Sequence, residues 1–163
     1  MTSSPPPPVC PTLPERYHPL PTAESALLGS GGMADVFRAR DRLLGDEVAV
    51  KVVRHDVMAA PEFRPRFERE VAISAGVMHP HLVPLHDLGE LPDGRPYLAL
   101  ALADSGSLLE LRRTNPPWPL LRRLLDETLS ALSCLHARGI LHLDVKLSNV
   151  LLHRGRDTKL HAW

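Results

Sequence analysis

The spacing of apolar residues changes near Gly106, and this change limits the folds that the chain can adopt. Before it, short apolar stretches alternate with turns, as in Glu47–Val53 after Leu44-Gly45-Asp46. Such stretches predict β-strands, joined here as an antiparallel meander. After it, apolar residues recur every three or four positions, most clearly in Pro119–Arg138, which predicts a long helix. The pattern predicts an α+β fold with a strand-rich first part and a helical second part.

One segment of the first part breaks the strand pattern. Phe63, Phe67 and Val71 recur every four residues between Glu62 and Ala75, with charged residues between them. This spacing predicts a single helix with one apolar stripe. Further strands are predicted at Ala26–Leu28, Val36–Ala39, Leu82–Leu88, Tyr97–Leu102 and Val150–Leu152, and a last one starts near Lys159.

The N-terminal segment is rich in proline. Eight of the 17 prolines lie between Pro5 and Pro21. Proline lacks a backbone N–H donor, and apolar periodicity is absent from this segment. Residues 1–22 are therefore predicted to form a flexible or polyproline leader.

Composition excludes several classes of protein. Nineteen basic and 19 acidic residues balance to a formal charge of zero, so neither nucleic acid nor an anionic membrane is expected as the main partner. The two cysteines, Cys10 and Cys134, cannot build a disulfide scaffold, and a reducing, cytoplasmic location is expected. The longest apolar run, Leu98–Ala103, is too short to span a membrane. An anchor beyond residue 163 would not be visible in this sequence.

A glycine-rich segment separates the first two predicted strands. Glycine lets a backbone turn approach phosphate oxygens and offer amide hydrogens without obstruction by side chains. A glycine-rich hairpin without a ligand is equally compatible with this segment alone. It is not a Walker loop, because no Gly-Lys-Ser/Thr follows and the next element is a predicted strand. The segment reads Gly29, Ser30, Gly31, Gly32, Met33, Ala34, Asp35 and Val36.

A lysine interrupts the apolar strand Val48–Val53. Lys51 could simply extend to solvent from an exposed face of the sheet. Alternatively, it pairs with a carboxylate and holds the α- and β-phosphates of a nucleotide. Glu70 is the preferred partner, because Glu68 lies well around the predicted helix from its apolar stripe.

The segment 141–152 carries the strongest chemical signal. Phosphoryl transfer needs a carboxylate for the attacking hydroxyl, a cation near the transferred group and oxygen ligands for magnesium. Asp144, Lys146 and Asn149 supply these three within six residues, after a predicted helix and before an apolar strand. These three residues follow the glycine segment and Lys51 along the chain, and this order of motifs favours a nucleotide-dependent phosphotransferase.

Taken together, these motifs resemble those of eukaryotic-type serine/threonine protein kinases. The glycine segment with the following Val36-Phe37-Arg38-Ala39-Arg40-Asp41, and His79-Pro80-His81-Leu82-Val83, are similar to bacterial members of that family. The likeness extends from about Ala26 to Leu152 and covers the small lobe and the start of the large lobe. It implies a protein-kinase-like fold, truncated in its large lobe, with residues 23–103 as small lobe and hinge and residues 104–163 as the incomplete large lobe.

The likeness also implies a nucleotide site. ATP and Mg²⁺ are the expected cofactors, and a protein with serine or threonine is the expected substrate. Ala101–Ala103 would read adenine through backbone groups, and Leu100 would guard the pocket behind it. Lys146, two residues after Asp144, is typical of the serine/threonine branch. The implied set is Asp144 and Lys146 as catalytic residues, Asn149 as metal ligand, and Gly29, Ser30, Gly31, Gly32, Met33, Ala34, Val36, Ala49, Lys51, Glu70, Leu100, Ala101 and Ala103 around ATP.

Some positions depart from the family pattern. Ala34 stands in place of the third glycine of the loop, and Leu147 in place of the usual proline. Leu143 replaces the arginine that in many kinases binds a phosphorylated activation loop, which puts that form of control in doubt.

The last residues allow two interpretations. An ungapped count from Asn149 places the family's magnesium-binding aspartate and the following aromatic at Ala162 and Trp163. That interpretation makes the chain a kinase-like nucleotide-binding or scaffold protein. Alternatively, the turn at residues 153–157 is longer than usual, Lys159–Trp163 is the strand that leads to the triplet, and the triplet follows. We prefer the second, and under either interpretation we expect these 163 residues alone to be inactive.

Overall fold

The computed structural model describes residues 8–22, 26–155, 157 and 159–163, with the side chains of residues 73 and 74 excepted. The chain divides into two compact units. The first contains the residues up to Arg66 together with Leu85–Leu102, and the second contains Phe67–Pro84 and Ala103–Trp163.

Six of the eight strands in the described residues precede the long helix, as the apolar pattern predicts. The strands are β1 (Tyr17–Pro19), β2 (Leu27–Ser30), β3 (Ala34–Asp41), β4 (Glu47–Val53), β5 (Leu85–Glu90), β6 (Pro96–Ala101), β7 (Leu152–Arg154) and β8 (Leu160–Ala162). The helices are α1 (His55–Met58), α2 (Phe63–Gly76), α3 (Leu108–Arg112) and α4 (Trp118–His136), and a 3₁₀ helix spans Leu147–Asn149.

The first unit is built on one antiparallel sheet. Its strand order is β1-β3-β4-β6-β5, and β2 also pairs with β3. The register places Val36 beside Lys51 and Lys51 beside Leu98, so these three side chains share one face of the sheet. Side chains at the neighbouring positions of each strand point to the other face. Alternation along β3 and β4 therefore gives the sheet one buried face and one partly exposed face.

The buried face forms the core of the first unit. Phe37 on β3, Val50 on β4 and Ala99 on β6 lie side by side and are almost fully buried. Their β-branched and aromatic neighbours on the same face extend this packing, which explains why these residues form strands. Lys51 lies on the opposite face, because it alternates with Val50 and Val52.

The segment before the sheet differs from the predicted leader. Cys10, Leu13 and Tyr17 are buried in the same core cluster as Phe37 and Val50. Tyr17–Pro19 pairs with residues 39–41 as the edge strand β1. The reason is that three apolar side chains between the prolines bury enough surface to hold this segment on the sheet. Residues 1–7 of the predicted leader lie outside the described residues.

The second unit is organised around α4. Leu124 and Leu135 on α4 are fully buried, and Leu124 packs with Leu108, Leu152 and Ala162 in one apolar cluster. Helix α3 begins with a capping box. Ser107 Oγ accepts a hydrogen bond from the Glu110 N–H, and the Ser107 N–H donates to Glu110 Oε2. Strands β7 and β8 form a two-stranded hairpin in this unit.

Candidate functional site

The glycine-rich segment forms the hairpin between β2 and β3. Gly29 and Ser30 pair with Val36 and Asp35, and the Gly31 N–H donates to the Ala34 carbonyl at 2.9 Å. Ser30 Oγ donates to Asp35 Oδ1 at 2.5 Å, which ties the two strands together beside the turn. The turn therefore has a fixed base and an exposed tip.

The glycines of this turn are not explained by internal packing. A Cβ at Gly29 or Gly32 would meet no atom within 4 Å, and one at Gly31 would make an ordinary 3.5 Å contact with the Ala34 carbonyl. Ala34 itself is buried, whereas Met33 is half-buried. Open space on the outer side of the turn is compatible with the predicted approach of phosphate oxygens.

The partly exposed face of the sheet carries the other residues predicted around the nucleotide in this unit. Ala49 pairs with Leu100, and Lys51 pairs with Val36 on one side. All four side chains are half-buried, as expected for a face that can receive a ligand. Ala101 on β6 is also half-buried, but it pairs with Val48 and therefore lies on the other face of the sheet.

Two of the residues predicted to surround the nucleotide, Glu70 and Ala103, belong to the second compact unit. Glu70 lies on α2 and is half-buried, whereas the competing Glu68 is exposed. Ala103 follows β6 and is half-buried. The pairing of Glu70 with Lys51 and the role of Ala103 stay predictions.

The predicted catalytic residues lie within hydrogen-bond distance of one another. Lys146 Nζ donates to Asp144 Oδ2 at 2.8 Å, and Asn149 Nδ2 donates to the same oxygen at 2.8 Å. Asn149 Nδ2 also donates to the main-chain carbonyl of Asp144 at 2.9 Å. The structure therefore brings together the carboxylate, the cation and the amide that the sequence singled out.

These contacts set the ionisation of Asp144. The hydrogen bond from Lys146, followed by that from Asn149, lowers the pKa of the Asp144 carboxyl. The side chain of Asp144 is 64% exposed, so a substrate hydroxyl could reach it without opening the fold. An ionised, accessible carboxylate is the state required of a group that accepts or orients a hydroxyl proton.

The backbone around Asp144 is constrained. The Asp144 N–H donates to His142 Nδ1 at 3.3 Å, and this hydrogen bond helps to order the loop. Leu143 between them has a positive φ of 61° and an exposed side chain. A non-glycine residue in this region is uncommon and concentrates at functional loops.

The strand after Asn149 is well anchored. Val150 is buried, and its carbonyl accepts the Leu108 N–H at 2.8 Å. Leu151 and Trp163 exchange both main-chain hydrogen bonds, at 3.0 and 2.8 Å. The 3₁₀ helix that carries Asn149 is thus fixed by its own hydrogen bonds on one side and by this strand on the other.

Asn149 has the chemistry of a magnesium ligand. Its amide nitrogen is directed at Asp144, so the amide oxygen is the remaining polar atom, and Mg²⁺ prefers oxygen ligands of this kind. Mg²⁺ in phosphotransferases commonly takes one or two carboxylates together with nucleotide phosphates. In the part of the chain that the structure describes, no group of three or more His, Cys, Asp or Glu residues is arranged to hold a metal ion.

Comparison with known proteins assigns the family. Residues 22–162 match the sequence profile described as the protein kinase domain. The chain belongs to the protein kinase family. This match confirms the resemblance of the motifs and the predicted fold class, and members of this family use ATP and Mg²⁺.

Named relatives of the chain are bacterial serine/threonine kinases. It is 39% identical over 129 residues to serine/threonine-protein kinase PknF of Mycobacterium tuberculosis, covering 77% of this chain and 27% of that protein. It is 44% identical over 131 residues to the DNA damage-responsive serine/threonine-protein kinase RqkA of Deinococcus radiodurans, covering 78% and 19%. The chain thus spans about a fifth to a quarter of the length of these relatives.

A solved structure supports the fold. The PknI kinase domain of Mycobacterium tuberculosis is similar with a TM-score of 0.69 and 29% identity, over 91% of this chain and 58% of that one. The matched kinase sequences correspond to the N-terminal part of the catalytic domain. Across residues 8–22, 26–155, 157 and 159–163, no helix is both long enough and apolar enough to cross a membrane.

The second interpretation of the last residues expects a strand at Lys159–Trp163. Strand β8 covers Leu160–Ala162, and Trp163 continues its main-chain pairing with Leu151. The strand predicted to start near Lys159 is therefore present. Ala162 is fully buried within the apolar cluster of the second unit. Which residue fills the position of the magnesium-binding aspartate stays a prediction.

Proposed function

We propose that this chain is part of an ATP-dependent protein kinase that transfers the γ-phosphoryl group to serine or threonine of a protein substrate. The observation that carries the proposal is the arrangement of Lys146 and Asn149 on the carboxylate of Asp144. A carboxylate, a cation and an amide oxygen within one short loop are the groups that in-line phosphoryl transfer requires.

The residues have separate roles in this proposal. Asp144 accepts or orients the attacking hydroxyl, because its carboxylate is ionised at neutral pH and exposed to solvent. Lys146 stabilises the charge of the transferred group, and Asn149 would hold Mg²⁺ through its amide oxygen. Bound Mg²⁺ would supply charge stabilisation on the phosphate oxygens.

The sheet of the first unit positions the nucleotide in this proposal. The turn from Gly29 to Ala34 covers the phosphates, and Lys51, held by Glu70, contacts them. Val36 and Ala49 contact the base, Leu100 guards the pocket, and backbone groups of Ala101–Ala103 read adenine. The half-buried state of these side chains supports this role.

Several finer features also belong to the proposal. Residues 23–103 act as small lobe and hinge, and residues 104–163 begin the large lobe. Preference for serine or threonine rests on Lys146 and on the names of the relatives. A cytoplasmic location of this domain and the exclusion of nucleic acid as partner rest on cysteine usage and charge.

A second candidate is a kinase-like protein that binds nucleotide without transferring phosphate. One observation favours it: Ala162, where an ungapped count places the magnesium-binding aspartate, is fully buried among Leu108, Leu124 and Leu152. A carboxylate in that apolar environment would be costly without a partner.

Calorimetric titration of the 163-residue chain with ATP, with and without Mg²⁺, tests the nucleotide site. The kinase proposal expects binding that Mg²⁺ strengthens, because Asn149 and the phosphates share the ion. The second candidate shares Asn149 and expects the same binding, so the two candidates are separated by transfer of the γ-phosphoryl group in the full-length protein, which the second candidate lacks. Absence of ATP binding at millimolar concentration under both conditions would contradict both candidates.

A further inference from the structure

Side chains of α4 hold the outer edge of strand β8. The Ala162 N–H donates to Glu127 Oε2 at 2.8 Å, and Arg123 Nη2 donates to the Leu160 carbonyl at 2.6 Å. Among the strands of the described residues, β7 is the sole neighbour of β8, so this edge lacks a pairing strand. Buried main-chain groups without partners are costly, and Glu127 and Arg123 supply the partners here.

One carboxylate connects the groups on this edge. Glu127 Oε1 accepts a hydrogen bond from Arg123 Nη1 at 2.8 Å and lies 3.0 Å from His161 Nδ1. The Glu127 side chain is only 11% exposed. Burial opposes its ionisation, but the Ala162 N–H, His161 and Arg123 together hold the pKa of Glu127 below its usual value. Glu127 is therefore an ionised, largely buried group that contacts β8 and α4. His81 Nδ1 lies 3.9 Å from Glu127 Oε2 and 3.1 Å from the Ala162 carbonyl on the same edge.

His161 lies between two carboxylates. Its Nδ1 is 3.0 Å from Glu127 Oε1, and its Nε2 is 3.0 Å from Asp157 Oδ1. Ionised carboxylates only accept hydrogen bonds, so both contacts are satisfied only when the imidazole is protonated on both nitrogens. The bond to Asp157 raises the pKa of His161 against its partial burial, and Glu127 adds to the rise.

Positive and neutral groups also face His161. Arg123 Nη1 lies 3.4 Å from its Nδ1, and the rings of His153 on β7 and His81 lie 5.8 and 6.5 Å away. Lys159 Nζ is 4.0 Å from Asp157. Burial and the charge of His161 lower the pKa of His153, which favours a neutral neighbour. The two carboxylates in direct contact outweigh the more distant cations in their effect on His161.

We propose that Glu127, Arg123 and His161 form a clamp that holds the β7–β8 hairpin against α4 and weakens as pH rises. This proposal goes beyond phosphoryl transfer and does not depend on it. The clamp also acts on the segment that follows Asn149, because Leu151 pairs with Trp163 next to Ala162.

The sign of the pH effect follows from the protonated form of His161. A histidine with a raised pKa in the folded state stabilises the fold fully below about pH 6.5, its usual unfolded value. That stabilisation is lost as pH rises through the higher pKa of the folded state. The hairpin is therefore held most firmly at mildly acidic pH.

Nuclear magnetic resonance of the 163-residue chain tests the clamp. The ring signals of the histidines are followed across pH, together with hydrogen exchange of the Ala162 amide corrected for its intrinsic rate. His161 is expected to titrate with a midpoint above about 6.5, the usual value for histidine. Protection of the Ala162 amide is expected to fall about tenfold as His161 deprotonates.

Two variants sharpen the test. Asp157→Asn removes one carboxylate from His161 at a half-exposed side chain, and it is expected to lower the His161 midpoint by about one unit. Glu127→Gln is expected to reduce Ala162 protection at every pH. Because Glu127→Gln can also unfold the second unit, Asp157→Asn carries the test if that variant does not fold.

His86→Gln is the matched control, because it removes an exposed histidine from the other unit. It is expected to leave Ala162 protection and the His161 midpoint unchanged. A His161 midpoint at or below about 6.5, or one that Asp157→Asn does not move, overturns the proposal. Ala162 protection that is constant through the His161 titration overturns it as well.

Discussion

The Arg16 guanidinium reaches the fully buried carboxylate of Asp41, with Nη2 2.7 Å from Oδ2 and Nε 3.0 Å from each carboxylate oxygen. Asp41 Oδ1 also accepts the N–H groups of Leu43 and Leu44 at 2.8 and 3.2 Å. One side chain therefore connects the segment before the sheet with the turn that follows β3. The connection makes Asp41 central to the stability of the first unit.

Asp41→Ala is expected to lower the free energy of unfolding by about 1–3 kcal/mol, because it leaves the two turn amides and Arg16 without their acceptor. Urea denaturation measures the change. The control is Glu47→Ala, which removes a partly exposed carboxylate paired with Arg38 and Arg40 and is expected to cost about 0–1 kcal/mol. Equal effects of the two substitutions would contradict the role of Asp41.

The same residue predicts a pH dependence. Arg16 lowers the pKa of Asp41 against the effect of burial, and the Leu43 and Leu44 amides contribute to the lowering. The stabilisation is therefore fully present above about pH 4 and is lost as pH falls through the lower pKa of the folded state. The difference in stability between the wild type and Asp41→Ala should shrink on acidification over this range.

Leu13→Ala tests whether the N-terminal segment belongs to the fold. Leu13 is 9% exposed and packs in the core of the first unit, so its truncation is expected to destabilise the chain by about 2–3 kcal/mol. Val9→Ala is the control, because Val9 is 63% exposed and its truncation should change stability by less than about 0.5 kcal/mol. A flexible leader would instead make both substitutions neutral in thermal denaturation.

Lys146→Met is expected to raise the pKa of Asp144. Lys146 is the largest cause of the lowered pKa, and methionine removes both its charge and its hydrogen bond. Carboxyl-carbon resonances measured from about pH 2 to 6 should place the Asp144 midpoint below about 3.9 in the wild type and higher in the variant. An unchanged midpoint would show that Lys146 does not contact Asp144 in solution.

Lys51→Met is expected to weaken ATP binding about tenfold, because it removes a charged hydrogen-bond donor from the phosphates. Calorimetric titration of the chain measures the affinity, and far-ultraviolet circular dichroism verifies that the sheet is retained. Lys159→Met provides the control, since Lys159 is 69% exposed and lies before β8. Equal affinity of wild type and Lys51→Met for ATP would remove Lys51 from the nucleotide site.

The sequence predicted the elements whose signals are local. Strand β4 has the predicted bounds, Glu47–Val53, because a glycine turn precedes a segment in which valine occupies positions 48, 50, 52 and 53. Helix α4 was predicted at Pro119–Arg138 and is found at Trp118–His136, since an apolar stripe marks its length but not its ends. Asp144, Lys146 and Asn149 were predictable as a site because six residues contain them.

Features that depend on distant partners were not predictable. Strand β1 forms because Tyr17–Pro19 pairs with residues 39–41, and its proline-rich sequence gives no strand signal. Arg123 binds the Leu160 carbonyl 37 residues away, and no local pattern in the sequence indicates this contact. The spacing of Arg123 and Glu127 by four residues is typical of an ion pair on one helix. It does not indicate the hydrogen bonds that both side chains make with strand β8.

The most direct test of the kinase assignment compares phosphoryl transfer by the full-length protein with and without Asp144→Asn. Transfer of the labelled γ-phosphoryl group of ATP to a serine- or threonine-containing protein is measured in the presence of Mg²⁺. Removal of the carboxylate is expected to reduce transfer by about 10²- to 10⁴-fold while ATP affinity stays unchanged. Equal transfer rates for the wild type and Asp144→Asn would contradict the assignment.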